Sequence, residues 1–117
     1  MSVALVHDDA AFTTDALEAL ESAGFHVVAF SDPMVALGQI EYDQSFDTLI
    51  TRISFPDGKP NGVSLALVLH NKNPDLHVVF VGRGENEVHT SGVGVLIPHP
   101  VDVGKLVEAV RTRPDST

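Results

Sequence analysis

Apolar residues along the chain fall into five short runs, each with the length of one buried strand. Turn-forming segments and stretches with helical spacing of apolar residues separate these runs. Strands that alternate with helices in this way predict an α/β domain with a doubly wound parallel sheet. The five runs are Val3–Val6, Phe25–Phe30, Thr48–Thr51, His77–Val81 and Gly94–Ile97.

Capping residues mark the first two predicted helices. The first helix begins after Asp8 and Asp9, either of which can serve as its N-cap, and it ends at Gly24. The second helix has Asp32 as its N-cap and Pro33 at its first position, which is a common helix start.

Two further helices follow the third and fifth strands. One opens at Asn61-Gly62 and stops before Pro74, and the other is capped by Asp102. Residues 82–93 contain three glycines and almost no apolar periodicity, so we expect at most a turn or two of helix there. We therefore predict a single domain over residues 1–113, followed by a short tail at 114–117 that is frayed.

Composition and charge exclude several classes of protein. Hydrophobic residues make up 44% of the chain, no apolar run approaches the length of a membrane span, and cysteine is absent. The formal net charge is −9, and residues 1–51 contain nine acids but no Lys or Arg. Nucleic-acid binding depends on clustered Lys and Arg. We therefore expect no nucleic-acid partner and no membrane association, and we expect a cytoplasmic protein.

The stretch Phe46–Gly62 is the most informative part of the chain. It begins as the third strand, reaches Arg52 at the carboxyl end of that strand and continues into a loop rich in Pro, Gly, Asp and Asn. In an open parallel sheet, ligands bind outside the carboxyl ends of the strands, near the point where the strand order reverses. The sequence therefore places Arg52 at the functional site.

Three motifs follow one another at characteristic positions. Asp8-Asp9 comes after the first strand, the pattern F-D-x-L-I-x-x-I-x-x-P-D…N-G surrounds Arg52, and His99-Pro100-Val101-Asp102 ends the fifth strand. Together with the five strands, these motifs make the chain resemble the receiver domain of two-component response regulators over nearly its whole length. The resemblance implies a flavodoxin-like fold of three α/β/α layers with strand order 2-1-3-4-5. It also implies a signalling protein rather than an enzyme.

The resemblance further implies a phosphorylation site, which this chain matches only in part. In receivers a carboxylate on the third strand accepts the phosphoryl group, two upstream acids bind Mg²⁺, a hydroxyl ends the fourth strand and a lysine ends the fifth. The two acids correspond to Asp8 and Asp9, but the acceptor position is Arg52, the hydroxyl position is Gly82 and the lysine position is His99. A guanidinium has no nucleophilic lone pair and cannot accept a phosphoryl group. We therefore predict a degenerate pseudo-receiver that acts without phosphorylation.

Two further departures from the receiver pattern lie near the fifth strand. The interval from Gly82 to His99 is several residues shorter than in typical receivers, so we expect the fourth helix of that family to be shortened or absent. Leu96 stands where receivers often carry an aromatic residue that takes part in switching. We therefore expect the output of the domain to differ from that of typical receivers.

The side chain of Arg52 has two alternative placements. It can pair with one or both of Asp8 and Asp9, which would replace the metal ion and fix one conformation. Alternatively, it can extend into solvent. A positive charge at this position would weaken Mg²⁺ binding by the two acids, so we expect no cofactor, with a weak Mg²⁺ site at Asp8 and Asp9 as the alternative.

Other chemistries at the same edge of the sheet stay open. Asp57, in the loop after Arg52, is an alternative phosphoryl acceptor, and it would make the protein a phosphorylated regulator. His7 and His99 could bind a transition metal together with the two acids, and His99 could itself carry a phosphoryl group. The turn Gly82-Arg83-Gly84 could bind an anion through backbone N–H groups.

The third predicted helix is apolar on nearly all sides and indicates a protein partner. A buried stripe of Leu65, Leu69 and either Ala66 or Val68 is enough to attach this helix to the sheet. We predict that Leu67 and Val68 belong to an interaction surface, because contiguous exposed apolar residues mark such surfaces.

The kind of partner is left open by the sequence. A histidine kinase, an output domain or a second copy of the chain would each suit an apolar helix, and the acidic first helix is an alternative docking face for a basic partner. A small ligand-binding or enzymatic domain on the same fold is a further alternative. No G-x-G-x-x-G motif and no nucleophile pattern supports it.

Overall fold

The computed structural model describes residues 2–43, 45–53, 62–82, 94–98 and 101–112. Five strands and four helices lie within these ranges. They are β1 (Ser2–Val6), α1 (Ala10–Ser22), β2 (His26–Phe30), α2 (Pro33–Tyr42), β3 (Phe46–Arg52), α3 (Gly62–Lys72), β4 (His77–Gly82), β5 (Val95–Pro98) and α4 (Val103–Arg111). The turn or two of helix predicted between β4 and β5, and the predicted tail, lie outside the described residues.

The strands form one parallel sheet in the order β2-β1-β3-β4-β5, which confirms the predicted fold. Strand β1 lies between β2 and β3, and Leu5 pairs with Ala29 on one side and with Ile50 on the other. The chain passes from β1 to β2 in one direction and then returns across β1 to β3. The strand order therefore reverses between β1 and β3, and this is the crevice in which open α/β sheets hold their sites.

Helices cover both faces of the sheet, because successive residues of a buried strand point to opposite faces. On one face, Leu5 packs in a core cluster with Leu20 of α1 and Leu106 of α4. On the other face, the neighbouring residue Val6 belongs to a cluster that contains Ile40 of α2 and Leu69 of α3. The predicted three-layer arrangement is confirmed.

The helix starts agree with the predicted capping residues. Asp9 is the N-cap of α1, which settles the choice between the two acids, and Asp32 caps α2 with Pro33 at the first helical position. Asp102 caps α4 by accepting hydrogen bonds from two backbone N–H groups. Gly24 follows α1 with a φ of 98°, a conformation that favours glycine.

Some strand boundaries differ from those that apolar runs alone predict. Strand β3 begins at Phe46 and includes Arg52, while β5 begins at Val95 and includes Pro98. Pairing with a neighbouring strand decides where a strand ends, and a polar residue can take part in that pairing. Pro98 is tolerated in a strand because β5 lies at the edge of the sheet.

None of the helices in the described ranges is both long enough and apolar enough to cross a lipid bilayer.

Candidate functional site

The carboxyl ends of β1, β3 and β4 bring three of the predicted site residues to one edge of the sheet. Val6, the last residue of β1, pairs with Thr51, and Arg52 pairs with Val81 of β4. Asp8 lies two residues beyond β1, and Gly82 is the last residue of β4. His99 and Asp57 lie outside the described residues, as do Arg83 and Gly84 of the predicted anion-binding turn.

Arg52 and Asp8 form an ion pair across the crevice between β3 and β1. Nη1 of Arg52 donates a hydrogen bond to Oδ1 of Asp8, and the two side chains are 33% and 27% exposed. The predicted pairing of the guanidinium is confirmed for Asp8, and the alternative of an arginine extended into solvent is wrong. Two segments that are far apart in the sequence are thereby joined at the site.

The electrostatic effect of this pair is seen in the acidity of Asp8. Partial burial raises the pKa of Asp8, but the hydrogen bond and the positive charge of Arg52 lower it by more. The net result is a pKa below the usual value for an aspartate. Asp8 is therefore held in its ionised form by the cation beside it.

Asp9 serves the helix rather than the crevice. Its Oδ1 accepts hydrogen bonds from the backbone N–H groups of Ala11 at 3.0 Å and of Phe12 at 3.3 Å. These are two of the N–H groups at a helix start that lack a partner within the helix. The carboxylate of Asp9 is therefore engaged as a cap, in contrast to that of Asp8.

His7 is a buried residue directly after β1, and its backbone N–H donates a hydrogen bond to the carbonyl oxygen of Phe30 at the end of β2. Its side chain is 5% exposed, its Nδ1 accepts a hydrogen bond from the backbone N–H of Asp9 at 3.0 Å, and its ring lies 4.4 Å from that of Phe12. Nδ1 also lies 3.8 Å from Oδ1 of Asp8. That contact is not an ion pair, because a nitrogen that accepts an N–H hydrogen bond does not carry a proton.

The donor set at this site fits a divalent cation poorly. Oδ1 of Asp8 is bound by a guanidinium, and Oδ1 of Asp9 already accepts two hydrogen bonds. A hard cation such as Mg²⁺ would have to displace the first interaction and lie beside a fixed positive charge. Among the residues that the structure describes, no group of three or more His, Asp or Glu side chains is arranged to hold a metal ion.

Gly82 faces an apolar side chain at the end of β4. A Cβ atom added at Gly82 would lie 3.1 Å from Cδ1 of Ile53, which is closer than ordinary van der Waals contact. Ile53 follows Arg52 in the chain and is itself buried in the core. The space in which a side chain at position 82 would lie is therefore restricted by an apolar group.

Gly62, the first residue of α3, packs directly against the backbone of Arg52. A Cβ atom at Gly62 would overlap the carbonyl oxygen of Arg52, and the backbone N–H of Gly62 donates a 2.7 Å hydrogen bond to the carbonyl oxygen of Ile53. The Asn61-Gly62 pair signals a helix start in the sequence, but the packing against Arg52 gives no sequence signal. This contact fixes the main chain from which the guanidinium projects.

His77 is a second residue whose contact the sequence does not reveal. It is buried at the start of β4, and its Nε2 lies 2.8 Å from the carbonyl oxygen of Ala109 in the last turn of α4. Because a carbonyl oxygen only accepts, Nε2 carries the proton and donates it. The two residues are 32 positions apart, so only the folded chain shows that His77 attaches α4 to the sheet.

The surface predicted on α3 consists of exposed residues. Leu67 is 52% exposed and Val68 is 42% exposed, whereas Leu65, Ala66 and Leu69 are buried. Ala66 therefore completes the buried stripe in place of Val68. The role of Leu67 and Val68 in binding a partner stays a prediction.

Comparison with known proteins relates this fold to one structural class. The chain is similar to a CheY-like response regulator receiver domain protein from Methanospirillum hungatei, with 25% identity, a TM-score of 0.82, and coverage of 94% of this chain and 90% of that chain. A response regulator receiver protein from Sinorhizobium medicae is 24% identical with a TM-score of 0.85, over 95% of this chain and 91% of that chain. The receiver domain of the hybrid histidine kinase CckA is 22% identical with a TM-score of 0.78, over 95% of this chain and 96% of that chain.

No protein-family model and no curated protein matches the sequence. The chain has the CheY-like flavodoxin fold of receiver domains, and this fold suggests response-regulator signalling.

Proposed function

We propose that this chain is a receiver-like signalling protein that acts through contact with another protein and is not switched by phosphorylation. The observation that carries this proposal is the ion pair between Arg52 and Asp8. In the resemblance to receivers, Arg52 stands at the position of the phosphoryl acceptor, and Asp8 stands at the position of a metal ligand.

The proposal follows from the charges at the site. Transfer of a phosphoryl group to a receiver needs a carboxylate nucleophile and cations that stabilise the charge developing on the phosphoryl oxygens. Here the end of β3 carries a guanidinium, which is not a nucleophile. Its positive charge balances the negative charge of the ionised Asp8 carboxylate. The cation is thus part of the chain, and the pair takes the place of a metal-dependent switch.

The environment of Gly82 supports the same function. Position 82 has no hydroxyl group, and a Cβ atom added there would lie 3.1 Å from Cδ1 of Ile53. A hydroxyl at this strand end would hydrogen-bond to a phosphoryl group in a working receiver. A glycine packed against an apolar side chain, in place of a residue with a hydroxyl group, is expected in a domain that holds one conformation.

A protein partner follows from the lack of a phosphorylation switch. A domain that does not change on phosphorylation can still transmit a signal by binding a partner protein, in proportion to its own concentration. Leu67 and Val68 are exposed apolar residues on α3, as an interaction surface requires. The partner classes are a histidine kinase, an output domain or a second copy of the chain.

The test uses beryllium trifluoride, which imitates a phosphoryl group on a carboxylate. We expect the amide NMR spectrum of the native protein to be unchanged when Mg²⁺ and beryllium trifluoride are added. The variant Asp8→Asn is the control, because it lacks the carboxylate that stands at the position of a metal ligand. Chemical-shift changes of the residues at the ends of β1, β3 and β4 would contradict the proposal. Changes confined to residues 54–61 would instead favour Asp57 as an acceptor.

A further inference from the structure

Besides Tyr42 at the end of α2, four large apolar side chains on α2 and α3 are exposed, although both helices already bury other residues. They are Met34 (55% exposed), Val35 (54%), Leu67 (52%) and Val68 (42%), and we call them the α2–α3 patch. Helix α2 is attached to the sheet through Ala36 and Ile40, and α3 through Leu65, Ala66 and Leu69. The core therefore does not explain why the patch is apolar.

Helix geometry places two members of the patch along the seam between the helices. Nζ of Lys72 lies 3.3 Å from Oε2 of Glu41, so these residues mark the facing sides of α3 and α2. Val68 lies one turn before Lys72, and Met34 lies two turns before Glu41, at spacings that share a helix side. Both helices connect parallel strands and therefore run in the same direction, so Met34 and Val68 line the same groove.

Gly38 keeps this groove open. It lies one turn before Glu41 on the same side of α2 as Met34, and a Cβ atom added there would meet nothing within 4 Å. A side chain from another molecule can therefore approach the backbone of α2 at this point.

The charges of the helices distinguish the patch from the opposite layer. Helices α2 and α3 together contain one acid and one base, Glu41 and Lys72, and these two are paired. Helix α1 on the other layer contains three acids, Asp15, Glu18 and Glu21, and no base. Asp32 and Asp43 lie at the two ends of α2, and Oδ1 of Asp32 accepts a hydrogen bond from the backbone N–H of Met34. The middle of the patch is therefore less charged than α1, on a chain with a formal charge of −9.

We propose that a second copy of this chain covers the α2–α3 patch. Two copies of a strongly acidic protein repel each other, and they can approach most closely where each presents the least charge. A basic partner protein, by contrast, would bind the acidic face of α1. Patch against patch is also a closed two-fold arrangement, which is the commonest symmetry of dimers.

The dimer is expected to be weak. Helix α3 has 11 residues and is thus about 16 Å long, so the buried area falls at the lower end of the range for specific interfaces. The inference rests on the proposed function only in assigning the partner. If the protein is monomeric, the proposed dimer is wrong, but the proposal that the domain acts without phosphorylation still stands. If the protein takes up a phosphoryl group, the proposed function is wrong, but the dimer can still form.

Sedimentation over a range of protein concentrations, from micromolar to millimolar, tests the interface. We expect the native protein to associate. We expect Val68→Glu to raise the dissociation constant by about tenfold or more, because a carboxylate in the patch would lose water on association and would add to the repulsion between the copies. The matched control is Lys105→Gln on α4, which makes the same change in net charge on the opposite layer and, unlike Val68→Glu, should leave association nearly unchanged. Added salt should strengthen association, since it screens the repulsion between copies.

Cross-linking gives a second readout that does not depend on affinity. Because the chain contains no cysteine, Val68→Cys and Lys105→Cys each introduce a single thiol. A short bis-maleimide should join two copies of the first variant and few copies of the second. A monomer at all concentrations would overturn the inference. Association that Lys105→Gln or added salt abolishes would also overturn it, because the contact would then join the acidic α1 of one copy to α4 of another.

Discussion

The guanidinium of Arg52 at the end of β3 binds the carboxylate of Asp8, two residues beyond the end of β1. This pair spans the point at which the strand order of the sheet reverses. A cation that belongs to the chain therefore lies in the crevice where proteins of this architecture hold their ligands.

The ion pair should make stability depend on pH in the acid range. Because the pKa of Asp8 is lowered in the folded state, the folded protein binds a proton at this site less readily than the unfolded chain does. The stabilisation is present above the pKa of an unfolded aspartate, about 4, and is lost as the pH falls through the lower folded value. At pH 7 the native protein should exceed Asp8→Asn in the free energy of unfolding by about 1 kcal/mol, a modest figure because solvent partly screens the pair.

Urea unfolding of both proteins at several pH values measures this difference. Asp15→Asn, which removes a carboxylate from the exposed side of α1, is the control. A difference between native protein and Asp8→Asn that stays constant from neutral pH down to below the folded pKa would show that the pair does not act in this way.

Gly62 and Gly38 should respond in opposite ways to the same substitution. In Gly62→Ala the new methyl group overlaps the carbonyl oxygen of Arg52, so we expect a loss of stability of about 2 kcal/mol or more. In Gly38→Ala the methyl group meets open space within a helix, so we expect a gain of about 0.5–1 kcal/mol. Thermal unfolding at low protein concentration compares them, and equal effects of the two substitutions would contradict the close packing at Gly62.

Gly82 and Ile53 should be coupled. Gly82→Ala brings a methyl group to 3.1 Å from Cδ1 of Ile53, so it should reduce the free energy of unfolding by about 1 kcal/mol. Ile53→Val removes that Cδ1 atom and costs about 0.5–1.5 kcal/mol by itself. The double variant should be more stable than the sum of the two losses implies. Strict additivity in chemical denaturation would mean that Ile53 does not restrict position 82.

His77 should contribute to stability by attaching α4 to β4. His77→Phe keeps an aromatic ring but removes the donor to the carbonyl oxygen of Ala109, so we expect a loss of about 1–3 kcal/mol. The substitution should increase the rate of amide hydrogen exchange more in α4 than in α2, because α2 packs on the other face of the sheet. Uniform acceleration across both helices would indicate a general loss of packing instead. His26→Phe, on an exposed position of β2, is the control.

The sequence predicts the fold and the participants of the site better than it predicts their contacts. Strand order, layers and helix caps follow from local patterns such as Asp32-Pro33 and from the resemblance to receivers. The choice of Asp9 rather than Asp8 as the cap depends on where β1 ends, which two adjacent aspartates do not reveal. The contacts of Gly62 with Arg52 and of His77 with Ala109 join residues far apart in the chain, so no local pattern contains them.

Intact mass after incubation with Mg²⁺ and acetyl phosphate shows whether the domain accepts a phosphoryl group, which a domain that is not switched by phosphorylation should not do. An Arg52→Asp variant is treated in parallel to restore a carboxylate at the end of β3. We predict that the native protein keeps its mass, and that the variant gains one phosphoryl group if Arg52 alone silences the site. A variant that stays unmodified would show that Gly82 and His99 silence it as well. Gain of a phosphoryl group by the native protein would contradict the account, and peptide mapping would then identify the acceptor.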